Sequence, residues 1–333
     1  MPQTEPQAVT TLTLTVSAVQ ALTPIIRSVV LEPADGAALP AYTPGSHLKV
    51  HIPGQAQPRC YSLVSLDASA DDFGAPRRYC LGVRLEDPST GGSRYMHQIK
   101  AGDTLQVEAP KNDFPLHEPE TVEAPAILIA GGIGITPIAS MATALKATGR
   151  PYELHYYGRS LAQMAYAAEL AAQHRDSLHL HADDDAATQL PLPALLERFH
   201  NAQHLYVCGP KGLIDLVVEQ SHGRHWPHSH VHFELFTAAA PQAGDRAFEV
   251  ELRQSGQVFQ IPPDKTILEV LEEAGCDPLY DCRRGECGVC QVGVLEGVPD
   301  HRDYYLSDDE RAAGKVMQIC ISRSLSDRLV LDL

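Results

Sequence analysis

DCRRGECGVC, residues 281–290, sets Cys282, Cys287 and Cys290 at the spacing C-x4-C-x2-C, and Cys320 follows far downstream. Four thiolates serve two irons at two apiece, and this spacing with a remote last ligand is that of plant-type [2Fe–2S] sites. Gly285 and Gly288 suit such a loop, because residues without Cβ let the backbone approach the sulfides and reach unusual φ/ψ values. The rival assignment is a zinc site with four cysteine ligands. Zinc knuckles favour two C-x2-C pairs, whereas only Cys287 and Cys290 form one here. Cys276 lies off the spacing, ahead of Asp277-Pro278, and reads as an ordinary buried thiol.

Around this loop the chain reads as a small α+β unit. FEVELRQ (248–254) and VFQI (258–261) have the pattern of a hairpin, and TILEVLEEAG (266–275) has helical periodicity closed by a glycine. Residues 247–333 are therefore expected to form a plant-type ferredoxin domain of the β-grasp kind, preceded by a small-residue linker over 238–246. Upstream, residues 123–237 alternate strand and helix signals. AILIA (126–130), ELHYYG (153–158), HLHA (179–182) and HLYVCG (204–209) each precede a helical run, the signature of a parallel α/β sheet with crossover helices. Residues 1–122 are β-rich: TLTLTV (11–16) alternates strictly, and Pro-Gly turns separate SHLKVHI (46–52) from its neighbours. An antiparallel β-barrel or sandwich is expected there, making the protein multidomain.

A chain of 333 residues, 44% hydrophobic, is long enough for two or three domains with cores of their own. Its formal net charge of −16 argues against nucleic acid and against an anionic membrane surface, since both repel an acidic protein. The excess of Asp and Glu either meets a partner or only keeps the chain soluble. No stretch approaches the about 20 apolar residues needed to span a bilayer. MPQTEPQAVT also lacks the basic start and apolar run of a signal peptide. The expected location is cytoplasmic, where eight cysteines are not read as four disulfides.

Two glycine loops mark the α/β region. GGIGITP (131–137) follows a buried strand and opens a helix, with Thr136 expected to cap it and Pro137 to fill its first turn. Exposed N–H groups around Gly132 and Gly134 attract a pyrophosphate, although Pro137 stands where the full dinucleotide fingerprint has a third glycine. YVCGPKG (206–212), with Gly209 and Pro210, again joins a strand end to a helix start. Ligands of open parallel sheets lie across the carboxyl ends of the strands, so both loops are expected on one edge. Cys208 is either a core thiol or faces a nicotinamide. Arg159 ends another strand, in reach of an adenosine phosphate or ribose. Asp183, in the acidic run Asp183–Asp185, favours the 2′-hydroxyl of NADH over a 2′-phosphate, unless the run is only a solvated turn.

In the first domain RCYS (59–62) puts Arg59 and Tyr61 on one face of a strand and Ser62 on the other. Alone, that is no more than a salt-bridged strand end. Joined by GGS (91–93), GGIGITP, CGP (208–210), HFELF (232–236) and the cysteine pattern, in that order, it resembles the phthalate dioxygenase reductase family over nearly the whole chain. The family includes the reductases of vanillate demethylase and related Rieske-type oxygenases. The resemblance implies FMN, with Arg59 on the flavin phosphate, Tyr61 against the isoalloxazine and Ser62 near flavin N5. It implies that Gly82, Val83 and Arg84 form the next flavin-contacting strand, with Arg84 by the pyrimidine edge. Gly92 and Ser93 would meet the FMN phosphate, Thr136 the flavin or nicotinamide, and Phe236 the flavin. Ser62, Thr136 and Cys208 are thereby the residues expected nearest hydride transfer. Cys60 and the pair Arg283-Arg284 depart from the family pattern, and the arginines bear on the cluster's partner surface and potential.

The implied function is that of a reductase component, moving hydride from NADH to FMN and single electrons through the [2Fe–2S] cluster to a cognate oxygenase. A Rieske-type oxygenase acting on an aromatic acid or similar small substrate is the expected partner. A cytochrome P450 or diiron hydroxylase as acceptor, and a non-catalytic redox sensor, are the alternatives. A nicotinamide gives two electrons and a cluster carries one, so a flavin must convert between them.

Overall fold

The computed structural model describes residues 10–67, 71–118, 124–200, 203–236 and 241–333. Strands β1 (Thr11–Ala21), β2 (Ile26–Glu32), β3 (His47–His51), β4 (Arg59–Ser62), β5 (Tyr79–Arg84) and β6 (Thr104–Glu108) form an antiparallel sheet in the order β4-β3-β6-β1-β2-β5. A bridge between Leu63 and Leu81 joins its two edges, so the sheet closes into a barrel. Alternation along the strands sends Leu14, Val16, Leu48, Val50 and Leu105 inward as its core. Just past β4 the chain changes partners. Leu63 still donates its N–H to Ser46, next to β3, but Val64 donates to Cys80 on β5, which bends the chain around the barrel rim.

Strands β7 (Ala126–Gly131), β8 (Tyr152–Gly158), β9 (Leu178–Ala182), β10 (Leu205–Cys208) and β11 (Val231–Glu234) form a parallel sheet in the order β11-β10-β7-β8-β9. β7 is buried at every position, as a strand covered on both faces must be. Strand order reverses between β7 and β10, the place where open α/β sheets take their ligands. The helix Ile135–Ala147 that follows β7 carries a polar pair on its buried side. Ser140 donates to the Leu63 carbonyl (2.7 Å) and accepts from Ser65 N–H (2.9 Å), and Thr143 donates to the Ser65 carbonyl (2.9 Å). Fully satisfied buried hydrogen bonds of this kind fix one register, here between the helix and the end of the flavin-motif strand.

The C-terminal part contains β12 (Phe248–Leu252), β13 (Val258–Ile261), β14 (Gln291–Glu296), β15 (Pro299–Asp300), β16 (Val316–Gln318), β17 (Arg323–Ser324) and β18 (Arg328–Leu331). Five of them make a mixed sheet, β13-β12-β18-β14-β16, with β12 and β18 parallel, while β15 pairs with β17. The helix Ile267–Glu273 starts at a capping box in which Thr266 and Glu269 satisfy each other's backbone N–H. Its Ile267, Leu268 and Leu271 are buried in the core formed with this sheet.

The chain divides into two compact units, Met1–Glu234 and Leu235–Leu333, so barrel and parallel sheet make one body and the ferredoxin part another. The expected boundary at 122/123 and residues 238–240 of the expected linker lie outside the described residues. The rest of that stretch is fastened to the ferredoxin unit. Arg302 donates to Asp245 at 2.6 Å, and this contact first of all pulls the Asp245 carboxyl down to about 2. No helix among the described residues is long and apolar enough to cross a membrane.

Candidate functional site

Ala130 and Cys208 are register partners on β7 and β10, so the two glycine loops leave the sheet side by side. A methyl on Gly134 would lie 2.1 Å from the Cys208 carbonyl oxygen, and one on Gly209 would lie 3.0 Å from Gly131 Cα. Two backbones touch here, and only glycine permits it. Gly132 differs, with φ +55° and nothing within 4 Å of its Cβ position. Its backbone is open to solvent on that side.

Thr136 does not cap the helix as expected. A 3-10 turn over Gly132–Gly134 leads straight into Ile135 without any side-chain cap, and Thr136 sits inside the helix with its hydroxyl donating to the Ile133 carbonyl at 2.9 Å. The glycine turn makes the helix entry, which leaves the threonine free to bond back within its own turn. Its methyl group faces the barrel instead. A methyl on Gly82 would come 2.6 Å from Thr136 Cγ2 and 3.3 Å from the Tyr166 ring, so β5 and the nucleotide loop meet at a glycine.

On the barrel, Arg59 and Tyr61 are half-buried on one face of β4, while Ser62 is buried on the other. Burial pushes Tyr61 up to about 12. Arg59 Nε is buried without a hydrogen-bond partner, and a methyl on Gly92 would press on Arg59 Cγ at 2.7 Å. An orphaned guanidinium N–H beside a glycine cradle fits an anionic group such as a flavin phosphate. Ser93 is committed locally, accepting from Glu86 N–H at 3.1 Å and sharing a hydrogen bond with Ser89. Val83 is buried, and Arg84 is exposed and pairs with Glu86 at 3.4 Å. Arg159 and Asp183 are exposed at the carboxyl ends of β8 and β9, their turns joined by the N–H of Asp183 donating to Gly158 and that of Asp184 to Arg159. Cys208 lies wholly within the core, and Phe236 is exposed just past β11.

In the cluster loop Cys287 and Cys320 both hydrogen-bond Cys282, holding its thiol well below the usual range, and Cys290 hydrogen-bonds Cys320. The fold thus brings the distant Cys320 to the three cysteines of the loop. Four cysteines at the spacing C-x4-C-x2-C with a remote fourth fit two irons at two thiolates apiece. Arg283, Gly285 and Gly288 all take positive φ, and Arg284 donates its N–H to Cys282 Sγ at 3.3 Å. Cys276, expected to be buried, is only half-buried, because the helix ends early at Glu273 and leaves it near the surface.

Residues 250–325 match the 2Fe-2S iron-sulfur cluster binding domain family, and residues 128–219 match the oxidoreductase NAD-binding domain family. The vanillate O-demethylase oxidoreductase of Pseudomonas sp. (strain HR199 / DSM 7063) is 41% identical, over 90% of this chain and 93% of its own. The heme-dependent oxidative N-demethylase beta subunit of Ectopseudomonas mendocina (strain ymp) is 38% identical, over 97% and 99%. The solved phthalate dioxygenase reductase is 35% identical with a TM-score of 0.68, covering 97% of this chain and 98% of that one. The chain belongs to the phthalate dioxygenase reductase family. It is an oxidoreductase with an NAD-binding domain and a [2Fe–2S] domain.

Within this family framework, the two arginines that depart from the pattern play different parts. Arg283 stacks over the Tyr280 ring at 4.1 Å and pairs with Glu272, whereas Arg284 is buried beside Glu286 at 3.6 Å. Four further positions escaped the sequence reading. Ser140 and Thr143 clamp helix to barrel, and their spacing of four and seven residues from Thr136 is a helical polar stripe that periodicity alone exposes. Tyr166 takes φ 60° just before the helix Ala167–His174 and turns its ring onto Gly82. Glu234, opposite Cys208 in register and buried, brings a carboxylate to the same sheet edge.

Proposed function

We propose that this reductase takes hydride from NADH and feeds electrons singly, through FMN and the [2Fe–2S] cluster, to a Rieske-type oxygenase in the cytoplasm. The observation that carries the reading is the meeting of Gly82 with Thr136, which brings the flavin strand and the nucleotide loop into van der Waals contact. The flavin, when bound, converts two-electron donation by a pyridine nucleotide into the one-electron currency of the cluster.

The chain's own residues then divide the work. Arg59, with Gly92 and Ser93, holds the flavin phosphate through the guanidinium N–H that lacks a partner. Tyr61 lines the ring site, Ser62 and Arg84 shape its polar edge, and Val83 backs it from the barrel core. Gly132 and Gly134 leave room for the dinucleotide phosphates, with Gly209 and Pro210 forming the opposing wall. Thr136 sets the distance between nicotinamide and flavin. Cys208 supports that floor from within the core, which suits a positioning role better than contact through its thiol. Arg159 and Asp183 face the adenosine end, where Asp183 disfavours a 2′-phosphate. All eight cysteines are free of disulfides, in keeping with a reducing compartment.

The test reconstitutes the purified protein with candidate oxygenases and follows substrate-dependent NADH consumption. Cys282→Ser is expected to abolish reduction of a protein acceptor while NADH still reduces the flavin; equal loss of both in a folded variant would refute the linear scheme. Arg59→Ala is expected to purify without flavin, and full occupancy would refute the phosphate assignment. Kinship to the heme-dependent N-demethylase subunit favours a haem protein as the second reading of the acceptor. Turnover with a haem partner and none with any Rieske oxygenase would select it.

A further inference from the structure

His155 of β8 is fully buried and is the register partner of His179 on β9, their rings stacked at 4.7 Å. Hydrogen-bond polarity fixes what its nitrogens present. The Thr188 carbonyl, which can only accept, lies 2.7 Å from His181 Nδ1, so that nitrogen bears the proton. Neutral His181 then accepts at Nε2 from His155 Nδ1 at 3.0 Å. The other nitrogen of His155, Nε2, faces Glu153 Oε2 at 3.2 Å. A buried imidazole nitrogen and a carboxylate oxygen thus converge, an arrangement in which both can ligate one cation. His179 Nε2 lies 3.8 Å from the same carboxylate oxygen, and the ligand atoms of all three residues fall within 4.8 Å of one another.

We propose that Glu153, His155 and His179 bind a divalent transition-metal ion, zinc(II) suiting two imidazoles and one carboxylate, with water as fourth ligand. His181 becomes the outer partner that orients His155, as the second nitrogen of a metal-bound histidine requires. The side chain of His155 is 0% exposed but that of His179 is 40% exposed, so the site is anchored in the sheet and open on one side. Arg198 now sits on Glu153 Oε2 at 3.1 Å. Its side chain is 46% exposed and can turn to solvent, yielding the oxygen to the metal. The ion would tie together the two strands that lead into Arg159 and Asp183, outside both glycine loops.

The test uses the holoprotein, with cluster and flavin in place so that the cluster cysteines are occupied. Zinc is titrated in competition with a chromophoric chelator, and cobalt(II) reports geometry through its d–d bands. One saturable equivalent is expected, with a four-coordinate cobalt spectrum and a zinc-dependent rise in melting temperature. His179→Gln, at a half-exposed position, should keep the fold, weaken zinc by at least roughly 100-fold and abolish the thermal shift. His230→Gln, in a separate histidine stack against His204, should leave binding unchanged. The proposal fails if no saturable equivalent binds, if His179→Gln binds as well as the parent, if His230→Gln removes the site, or if cobalt shows a six-coordinate all-oxygen spectrum.

Discussion

The nucleotide loops and the cluster loop both depend on glycine, for opposite reasons. Gly134 has an ordinary φ of −60°, yet its Cβ position is 2.1 Å from a backbone oxygen on the next strand. Gly288 has φ +75°, and its Cβ position is crowded by the Tyr305 ring, which is 51% exposed. The first glycine is demanded by packing between rigid strands, the second by the path of a loop that wraps metal. Fixed backbone cannot yield, whereas an exposed ring can. The difference says that the parallel sheet sets the nucleotide site before any ligand arrives, while the cluster loop relies on its ligands for rigidity.

Gly134→Ala should therefore break the molecule most. The methyl can be housed only by parting β7 from β10, and overpacking of this kind costs up to about 3 kcal/mol. Denaturant melts should show the N-terminal unit destabilised by that order. NADH-dependent flavin reduction should fall through a raised KM, with the cluster's visible spectrum untouched. A mild Gly134→Ala would mean that the strand tips are looser than their contacts imply.

The two units should also part company in acid. On β11, His232 stacks on His117 and Tyr206 and hydrogen-bonds His204 at 2.8 Å, and burial, with the charges of His117, His204 and His230, pushes it down to about 3. An unfolded histidine titrates near about 6.5, so below that pH the unfolded chain binds the extra proton. The stabilisation is complete above about pH 6.5 and is lost as pH falls toward 3, at about 1.4 kcal/mol per pH unit for such a group. Asp245 in the ferredoxin unit is depressed to about 2 from an ordinary 3.8, so its contribution is present above about pH 4 and is lost as pH falls through about 2. Near-UV signals of the N-terminal unit should thus melt earlier between pH 6.5 and 5, while the cluster's circular dichroism holds. Simultaneous loss of both signals across that range would contradict the separate titrations.

The same contrast explains how much the sequence disclosed. Cluster ligands are set by local spacing, so DCRRGECGVC named three of them without any knowledge of the fold. The glycine loops were visible as strand-to-helix junctions, and their shared edge followed from the rule that places ligands across the carboxyl ends of parallel strands. What stayed hidden depends on partners distant in sequence. Thr136 looked like a cap because its neighbours fit that pattern, but a 3-10 turn had already made the helix entry. Tyr166 acquired its place only when an αL residue turned the ring onto Gly82. The tie between His155, His181 and Thr188 likewise needs the β8–β9 register, which no single segment encodes.

Gly288→Ala should be the gentlest of these changes, and it sharpens the comparison. A left-handed backbone angle on a residue with Cβ costs about 1–2 kcal/mol, and the ring of Tyr305 can rotate into solvent to admit the methyl. The variant should assemble its cluster, lose it somewhat faster to a chelator, and reduce flavin with NADH at the parental rate. Combining it with Tyr305→Ala removes the crowding and leaves only the backbone penalty. If the double variant recovers most of the cluster lifetime, crowding by the ring was the larger part. If it recovers none, the left-handed angle carries the cost, as expected for a loop whose amides must turn toward the sulfides. Cluster loss as complete as that of Cys282→Ser would instead show that this loop is as unforgiving as the strand tips, and the contrast between the two glycines would collapse.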